Sequence, residues 1–210
     1  MVKVKICGIT NLDDALCSAG YGADALGFVF WSGSPRHVKA RQAAAITAKL
    51  PPFVMRVGVF VNEAPSVVNS IIRDAGLDAV QLHGEEPPSY CARIKGARVI
   101  KAFRVKDGDV LALMEKYRAC AYLLDAFKEG VPGGTGRVFD WKIAARAGKS
   151  GRAIILSGGL TPDNVSEAVR RVRPYAVDVS SGVERAPGKK DRAKLKKFIL
   201  QAKYNEKIAG

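Results

Sequence analysis

The chain has 210 residues, and its 34 Lys and Arg against 20 Asp and Glu give a formal net charge of +14. This length suits one domain, since domains run to roughly 100–200 residues and single α/β barrels slightly more. Apolar residues make up 48% of the chain, which is enough for a buried core and argues against intrinsic disorder. No stretch approaches the roughly 18 consecutive apolar residues that a membrane span needs.

The N-terminal segment and the cysteines bear on the cellular compartment. The first eight residues contain no apolar signal segment, so we expect a cytoplasmic protein. Cys7, Cys17, Cys91 and Cys120 form no CxxC pair, so we expect neither a zinc site nor a disulfide scaffold. The positive charge alone is compatible with nucleic-acid binding, with steering of an anionic substrate, or with a soluble surface.

Short apolar runs alternate with amphipathic segments along the chain. The predicted strands are residues 4–7, 25–30, 54–60, 79–82, 99–103, 121–124, 153–156 and 176–179. The predicted helices are residues 11–19, 39–50, 64–75, 89–94, 109–117, 140–147, 163–172 and 191–202. Nearly continuous apolar runs are typical of a parallel sheet that helices cover. Eight such units of about 25 residues favour an α/β fold, a single (βα)8 TIM barrel over residues 1–210.

Two glycine-rich turns follow the last two predicted strands. They are Ser157-Gly158-Gly159 and Ser180-Ser181-Gly182. Small residues let backbone N–H groups approach a phosphate, and the loops after strands 7 and 8 are the usual phosphate site of such barrels. The pair therefore predicts phosphate binding, the alternative being two ordinary tight turns.

Two predicted strands end on residues that could transfer protons. Cys7 ends the first, and its thiol would face the barrel mouth, where it could act as a base if its pKa were lowered. The alternative is an inert buried cysteine. Asp125 ends the sixth and must emerge at the rim or be buried with a partner, because an unpaired buried charge is costly. Its alternative is a solvated or backbone-capping aspartate.

Three further residues are candidates for substrate binding. Arg36 lies in the long loop 31–38, and its fork suits a carboxylate, although lone loop arginines are usually solvated. His83 follows the fourth strand and is either a site residue or a satisfied rim histidine. Asp178 lies between two valines of the eighth strand, so it needs a partner, and a structural role explains it equally well.

Seven segments in collinear order, from residue 4 to about residue 191, resemble the phosphoribosylanthranilate isomerase family. The segments are Val4–Thr10; Gly27–Phe30 with Ser34-Pro35-Arg36; Val57–Asn62; Val80–Gly84; Leu123–Asp125 with Gly133–Gly136 and Phe139-Asp140-Trp141; Leu156–Leu160 with Asn164-Val165; and Val177–Glu184. Each motif alone is weak evidence, but seven in register are specific.

The resemblance implies a (βα)8 barrel and an isomerase. The family catalyses the Amadori rearrangement of N-(5-phosphoribosyl)anthranilate to 1-(2-carboxyphenylamino)-1-deoxyribulose 5-phosphate, the third step of tryptophan biosynthesis from chorismate. The resemblance implies that Cys7 is the general base at C2 of the sugar and that Asp125 is the general acid at the ring oxygen. It also implies that Arg36 engages the anthranilate carboxylate and that the two glycine-rich turns hold the phosphate, with no metal or organic cofactor.

Several alternatives compete with this interpretation. Other phosphate-binding barrels are the nearest alternatives, such as epimerases or the indole-forming synthase of the same pathway. That synthase is expected to use a lysine/glutamate constellation and an extended N-terminus. A dual-substrate isomerase that also serves histidine biosynthesis is expected to carry aspartate in place of Cys7. For nucleic-acid binding, the basic stretches at 170–173 and 189–197 show no recognition motif, and the tail suits the solvated face of a helix. We therefore expect a small phosphorylated substrate and neither nucleic acid nor membrane as partner, with monomer and homodimer both open.

Overall fold

The computed structural model describes residues 1–105, 110–126 and 141–204. Eight parallel strands pair in chain order, and the last pairs with the first to close a barrel. The strands are β1 Lys3–Cys7, β2 Ala25–Val29, β3 Met55–Phe60, β4 Ala79–Leu82, β5 Arg98–Val105, β6 Ala121–Ala126, β7 Ile154–Leu156 and β8 Ala176–Val179. The helices are α1 Leu12–Gly20, α2 Ala40–Thr47, α3 Pro65–Ala75, α4 Val110–Glu115, α5 Trp141–Gly148, α6 Val165–Val172 and α7 Arg192–Tyr204. The predicted (βα)8 barrel is confirmed.

Most element bounds differ by a few residues from the predicted ones, and two of the differences are of note. The segment predicted as a helix over 89–94 is a short 3-10 helix, Pro88–Arg93. Strand β6 runs to Ala126, so Asp125 lies inside the strand, paired in register with Arg104, rather than just after it. Residues 127–140, which carry the predicted glycine-rich loop Gly133–Gly136 and the pair Phe139-Asp140, lie outside the described residues.

A short antiparallel hairpin after β8 was not predicted. It consists of β9 Glu184–Ala186 and β10 Lys189–Lys190. The sequence placed Lys190 on a solvated basic face, which is wrong, because Lys190 is only 2% exposed. Charge density along a sequence does not distinguish a surface lysine from one that is buried against acceptors.

The barrel interior changes character toward the carboxyl ends of the strands. One cluster inside the barrel is apolar and consists of Val57, Ala79, Ile100, Ala102, Ala121, Leu123, Ile155 and Ala176. Since side chains alternate along a strand, the residue two positions later points inward as well. At three of these positions that residue is polar and buried, namely Gln81, Ser157 and Asp178. Buried polar groups need partners, so this layer predicts a hydrogen-bonded network beneath the barrel mouth.

The outer face of the strands packs against the helices. Outward-facing strand residues such as Val4, Ile6 and Phe28 form one continuous apolar core with helix residues such as Val68 and Phe198. Within the ranges that the structure describes, no helix is both long and apolar enough to cross a membrane. The covered outer face leaves the strand ends and their loops as the accessible part of the barrel.

Candidate active site

Cys7 points into the barrel at the end of β1. It pairs in register with Gly27, where a Cβ atom would lie 2.8 Å from Cys7 Sγ, so the glycine makes room for the thiol. Burial raises the pKa of the Cys7 thiol, and the ammonium groups of Lys5 and Lys190 only partly offset it. The ligand-free chain therefore shifts this pKa in the direction opposite to the one that a base at neutral pH requires.

A buried ion pair lies directly beneath Cys7. Lys5 Nζ donates to Asp178 Oδ1 at 2.7 Å, and Ser157 Oγ donates to Asp178 Oδ2 at 3.0 Å. Both carboxylate oxygens of Asp178 are thus engaged within the protein, by a lysine and a hydroxyl rather than by an arginine or a backbone turn. Burial alone would lower the pKa of Lys5, but the Asp178 carboxylate and the Cys7 thiol outweigh it and leave this pKa raised.

His83 and Asp125 meet at the barrel mouth. His83 Nε2 lies 3.3 Å from Asp125 Oδ2, and both side chains are partly exposed. On the other side of the ring, His83 Nδ1 lies 2.7 Å from Nε2 of the buried Gln81. The imidazole therefore lies between the Gln81 amide on one side and the Asp125 carboxylate on the other.

The loop that carries His83 rests on a second buried ion pair. Lys101 Nζ donates to Glu86 Oε2 at 2.7 Å and to the Gly84 carbonyl at 2.7 Å. Glu86 accepts the backbone N–H of Asn62 and that of Gly84. This pair fixes the turn after β4 and so sets where the imidazole lies.

Arg36 lies over the turn that follows Cys7. Gly8 has a φ of 77°, and a Cβ atom there would lie 2.5 Å from Arg36 Cδ, so this position needs glycine for both reasons. Arg36 pairs side-on with Glu184, Nε to Oε1 at 2.9 Å and Nη2 to Oε2 at 2.6 Å. Burial alone would raise the pKa of Glu184, but Arg36 and Lys190 outweigh it and hold it below its usual value.

Lys190 joins the hairpin to the barrel. Its Nζ donates to the Cys7 carbonyl at 2.5 Å, to Glu184 Oε1 at 2.9 Å and to the Ser180 carbonyl at 3.2 Å. Three acceptors match the three hydrogens of an ammonium group. Burial lowers the pKa of Lys190 although Glu184 opposes it. A single side chain thus connects the end of β1, the turn after β8 and the hairpin.

The two glycine-rich turns lie side by side. Gly158 and Gly159 have φ values of 84° and 67°, which bend the chain sharply after β7. A Cβ atom on Gly182 would collide with the Leu160 carbonyl, so the turns after β7 and β8 touch at that point. The predicted phosphate residues are therefore brought together on the same end of the barrel as Cys7 and Asp125.

The chain as a whole is similar to known proteins. A model of the family described as N-(5'-phosphoribosyl)anthranilate (PRA) isomerase matches residues 4–201. The N-(5'-phosphoribosyl)anthranilate isomerase of Pelobacter propionicus is 58% identical over 203 residues, which is 97% of this chain and 96% of that protein. The chain belongs to the N-(5'-phosphoribosyl)anthranilate isomerase family. It is an isomerase of tryptophan biosynthesis, and its substrate is a small molecule.

Two solved isomerases have the same fold. One is a monomer of the dimeric phosphoribosylanthranilate isomerase from Thermotoga maritima, with a TM-score of 0.87 and 46% identity over 97% of this chain and 99% of that chain. The other is a phosphoribosylanthranilate isomerase in complex with reduced 1-(o-carboxyphenylamino)-1-deoxyribulose 5-phosphate, with a TM-score of 0.85 and 47% identity over 97% of this chain and 99% of that chain. Membership of this family distinguishes the chain from the other phosphate-binding barrels considered above.

Sequence reasoning missed four residues of the candidate site. Lys5 and Gln81 each precede a predicted site residue by two positions, and this period of a strand was a usable signal. Glu184 and Lys190 gave no comparable signal, because their importance depends on contacts with Arg36 and Cys7 that are distant in sequence. Within the part of the chain that the structure describes, no three His, Cys, Asp or Glu side chains are grouped to hold a metal ion.

Proposed function

We propose that Cys7 is the general base and Asp125 the general acid of the isomerisation. The observation that carries this proposal is their placement: both point inward at the carboxyl ends of strands, on β1 and on β6, which are separated by β8 and β7. Ring opening needs an acid at the furanose oxygen, and enolisation needs a base at C2 on the other side of the sugar. A substrate that lies across the mouth can meet both groups.

Proton movements follow from these positions. The Asp125 carboxylic acid gives its proton to the ring oxygen as the C1–O bond breaks, and the anilino nitrogen lone pair forms the C1=N bond. The Cys7 thiolate then takes the proton from C2, and the C2–H electron pair forms the C1=C2 bond of an enolamine while the iminium nitrogen regains its lone pair. Protonation at C1 and loss of the C2 hydroxyl proton give the aminodeoxyribulose. Holding the substrate by its two anionic ends supplies orientation beyond what acid–base chemistry provides.

His83 acts on Asp125 rather than on the substrate directly. Its Nε2 lies 3.3 Å from Asp125 Oδ2, and the Gln81 contact at Nδ1 holds the ring in that position. Asp178 holds Lys5 and Ser157 in place, since both of its oxygens are engaged. These roles keep His83 and Asp178 in the site as positioning groups.

Two anchors fix the substrate ends. Arg36 offers its remaining N–H groups to the anthranilate carboxylate. The turns at Gly158-Gly159 and Ser180-Ser181-Gly182 hold the phosphate, supported by their contact through Leu160. The Ser180 hydroxyl is buried without a hydrogen-bond partner within the described residues, which suits a group that awaits an anionic ligand.

Turnover of two variants tests the acid and base roles. We expect Cys7→Ala and Asp125→Asn each to lower kcat by about 10²–10⁴-fold, because each removes one acid–base step. The fluorescence loss of phosphoribosylanthranilate measures turnover, and calorimetric binding of the reduced product analogue should stay close to wild type. Exposed Cys120→Ala is the matched control and should keep full turnover. Near-wild-type turnover of either site variant removes its proposed role.

The isomerase forms a homodimer through the amino-terminal end of its barrel. Phe53 is 97% exposed there, just before β3. A bare aromatic ring on the surface is typical of an interface, and the T. maritima relative is described as dimeric. We expect sedimentation of the wild type at twice the chain mass and of Phe53→Asp at the single chain mass. A monomeric wild type contradicts the assembly.

The cytoplasm is the compartment that suits this chain. All four cysteines are free, and exposed thiols such as Cys120 persist where glutathione keeps them reduced. Fractionation of cells that express the tagged chain should recover it with cytoplasmic markers, and recovery in an exported fraction contradicts this placement.

A further inference from the structure

Glu184 makes a side-on pair with the arginine that would bind the substrate carboxylate. This pairing uses the Nε–H and one Nη2–H of Arg36. A guanidinium has five N–H groups, so the edge formed by Nη1 and the second Nη2 hydrogen is left for a second carboxylate. We propose that Glu184 is a specificity-determining positioning residue, which aims this edge of Arg36 at the anthranilate carboxylate. The inference rests on the proposed carboxylate anchor.

The position of Glu184 is itself fixed. Its side chain is almost fully buried, and Oε1 accepts from Lys190 Nζ at 2.9 Å and from the Gly188 backbone N–H at 3.3 Å. Lys190 is fully buried and also holds the Cys7 and Ser180 carbonyls. The carboxylate anchor, the base and the phosphate turn therefore share one buried network. This network sets the distance between the groups that bind the substrate and the group that takes its proton.

The charge of Glu184 makes its placement informative. A carboxylate beside an anion-binding arginine lowers the local positive potential, which opposes capture of a substrate carboxylate. A site built only for electrostatic attraction would leave Arg36 unpaired. Side-on pairing instead immobilises a long side chain before the ligand arrives, so that the ordering cost of Arg36 does not weaken binding. A positioning role hence predicts that removal of Glu184 weakens binding of the substrate carboxylate. Electrostatic screening predicts that the same change strengthens it.

Two ligands separate these effects. One is the reduced product analogue with its o-carboxyphenylamino group, and the other is the same compound with a plain phenylamino group. Calorimetric Kd values for both ligands give the preference of each variant for the carboxylate. Arg36→Met should abolish the preference, since it removes the anchor. Glu184→Gln and Glu184→Asp should each reduce the preference on the order of tenfold by disturbing one charge-assisted contact, so the carboxylated ligand should lose more affinity than the phenylamino ligand.

The variants are chosen so that each outcome is decisive. Glu184→Asp keeps the charge beside Lys190 but shortens the reach to Arg36, so it tests geometry alone and covers the case in which Glu184→Gln does not fold. Glu167→Gln is the matched control, because Glu167 pairs with Arg171 on the exposed face of α6. Tighter binding of the carboxylated ligand by Glu184→Gln, or equal weakening of both ligands in both variants, overturns the positioning role. A preserved preference in Arg36→Met shows instead that the anchor itself is wrong, and the role of Glu184 fails with it.

Discussion

The two ends of the barrel use charge in different ways. At the amino-terminal end, Asp24 and Asp78 each precede a strand, accept the backbone N–H of the neighbouring strand and pair with cations that are at least partly exposed. Toward the carboxyl end, Lys5, Lys101 and Lys190 are each at most 3% exposed and pair with buried carboxylates. The first arrangement joins strands, whereas the second places charges where desolvation makes them costly.

Each of the three buried lysines supports a different group of the site. Lys5 lies beneath the Cys7 thiol, Lys101 holds the turn that carries His83, and Lys190 holds Glu184 against Arg36. Buried ion pairs are weak evidence for stability, because apolar residues of similar volume often serve as well. Their clustering at one end of the barrel indicates that they are kept for the geometry of the site.

Breaking one pair at each end gives the largest expected contrast. Lys5→Met leaves Asp178 buried without its cation, so we expect the free energy of unfolding to fall by about 3–5 kcal/mol. Lys3→Met removes one exposed partner of Asp24, and we expect a loss below about 1 kcal/mol. Urea denaturation at neutral pH measures both variants. Equal losses would show that burial does not distinguish the two ends.

The dependence of Cys7 alkylation on pH is the second prediction, of intermediate expected size. Only the thiolate is alkylated, and burial raises the pKa of Cys7, so the thiolate fraction at neutral pH is small. We expect the rate of alkylation by iodoacetamide to rise about tenfold per pH unit from pH 7 to pH 9, as it does below any thiol pKa. Mass spectrometry of the Cys7 peptide measures this rate, and Lys3→Met should follow the same curve. A plateau near pH 7 would mean that the thiol is already ionised in the free enzyme.

The barrel and the residues at its strand ends were predictable from local sequence. Apolar runs indicated the strands, and Cys7, Asp125 and Arg36 stood in motifs that local reasoning could find. The supporting network was not predictable, since the pairs Lys5–Asp178 and Arg36–Glu184 join residues 173 and 148 positions apart. They meet because the chain closes on itself, which brings β8 and the hairpin after it to β1. For the same reason, the net charge gave no sign that some lysines are internal.

Asp24 gives the smallest contrast and tests the amino-terminal end alone. Burial would raise its pKa, but hydrogen bonds from Lys203, the Val4 N–H and Lys3 outweigh it and lower the pKa. A folded pKa below the unfolded value, about 3.9, stabilises the protein above that pH, and this stability is lost as pH falls through the folded pKa. We therefore expect Asp24→Asn to cost about 1 kcal/mol at pH 7, or about 2–4 °C in Tm, and to match wild type at low pH.

Thermal unfolding at pH 7 and at pH 2 separates the two contributions of Asp24, and Asp74→Asn on the exposed face of α3 is the control. If the difference in Tm persists unchanged at pH 2, Asp24 acts through its uncharged hydrogen bond to the Val4 N–H rather than through its charge. The amino-terminal end would then be stabilised by hydrogen bonds to the backbone. The two ends would differ in whether ion pairs contribute to stability, and not in how deeply the ion pairs are buried.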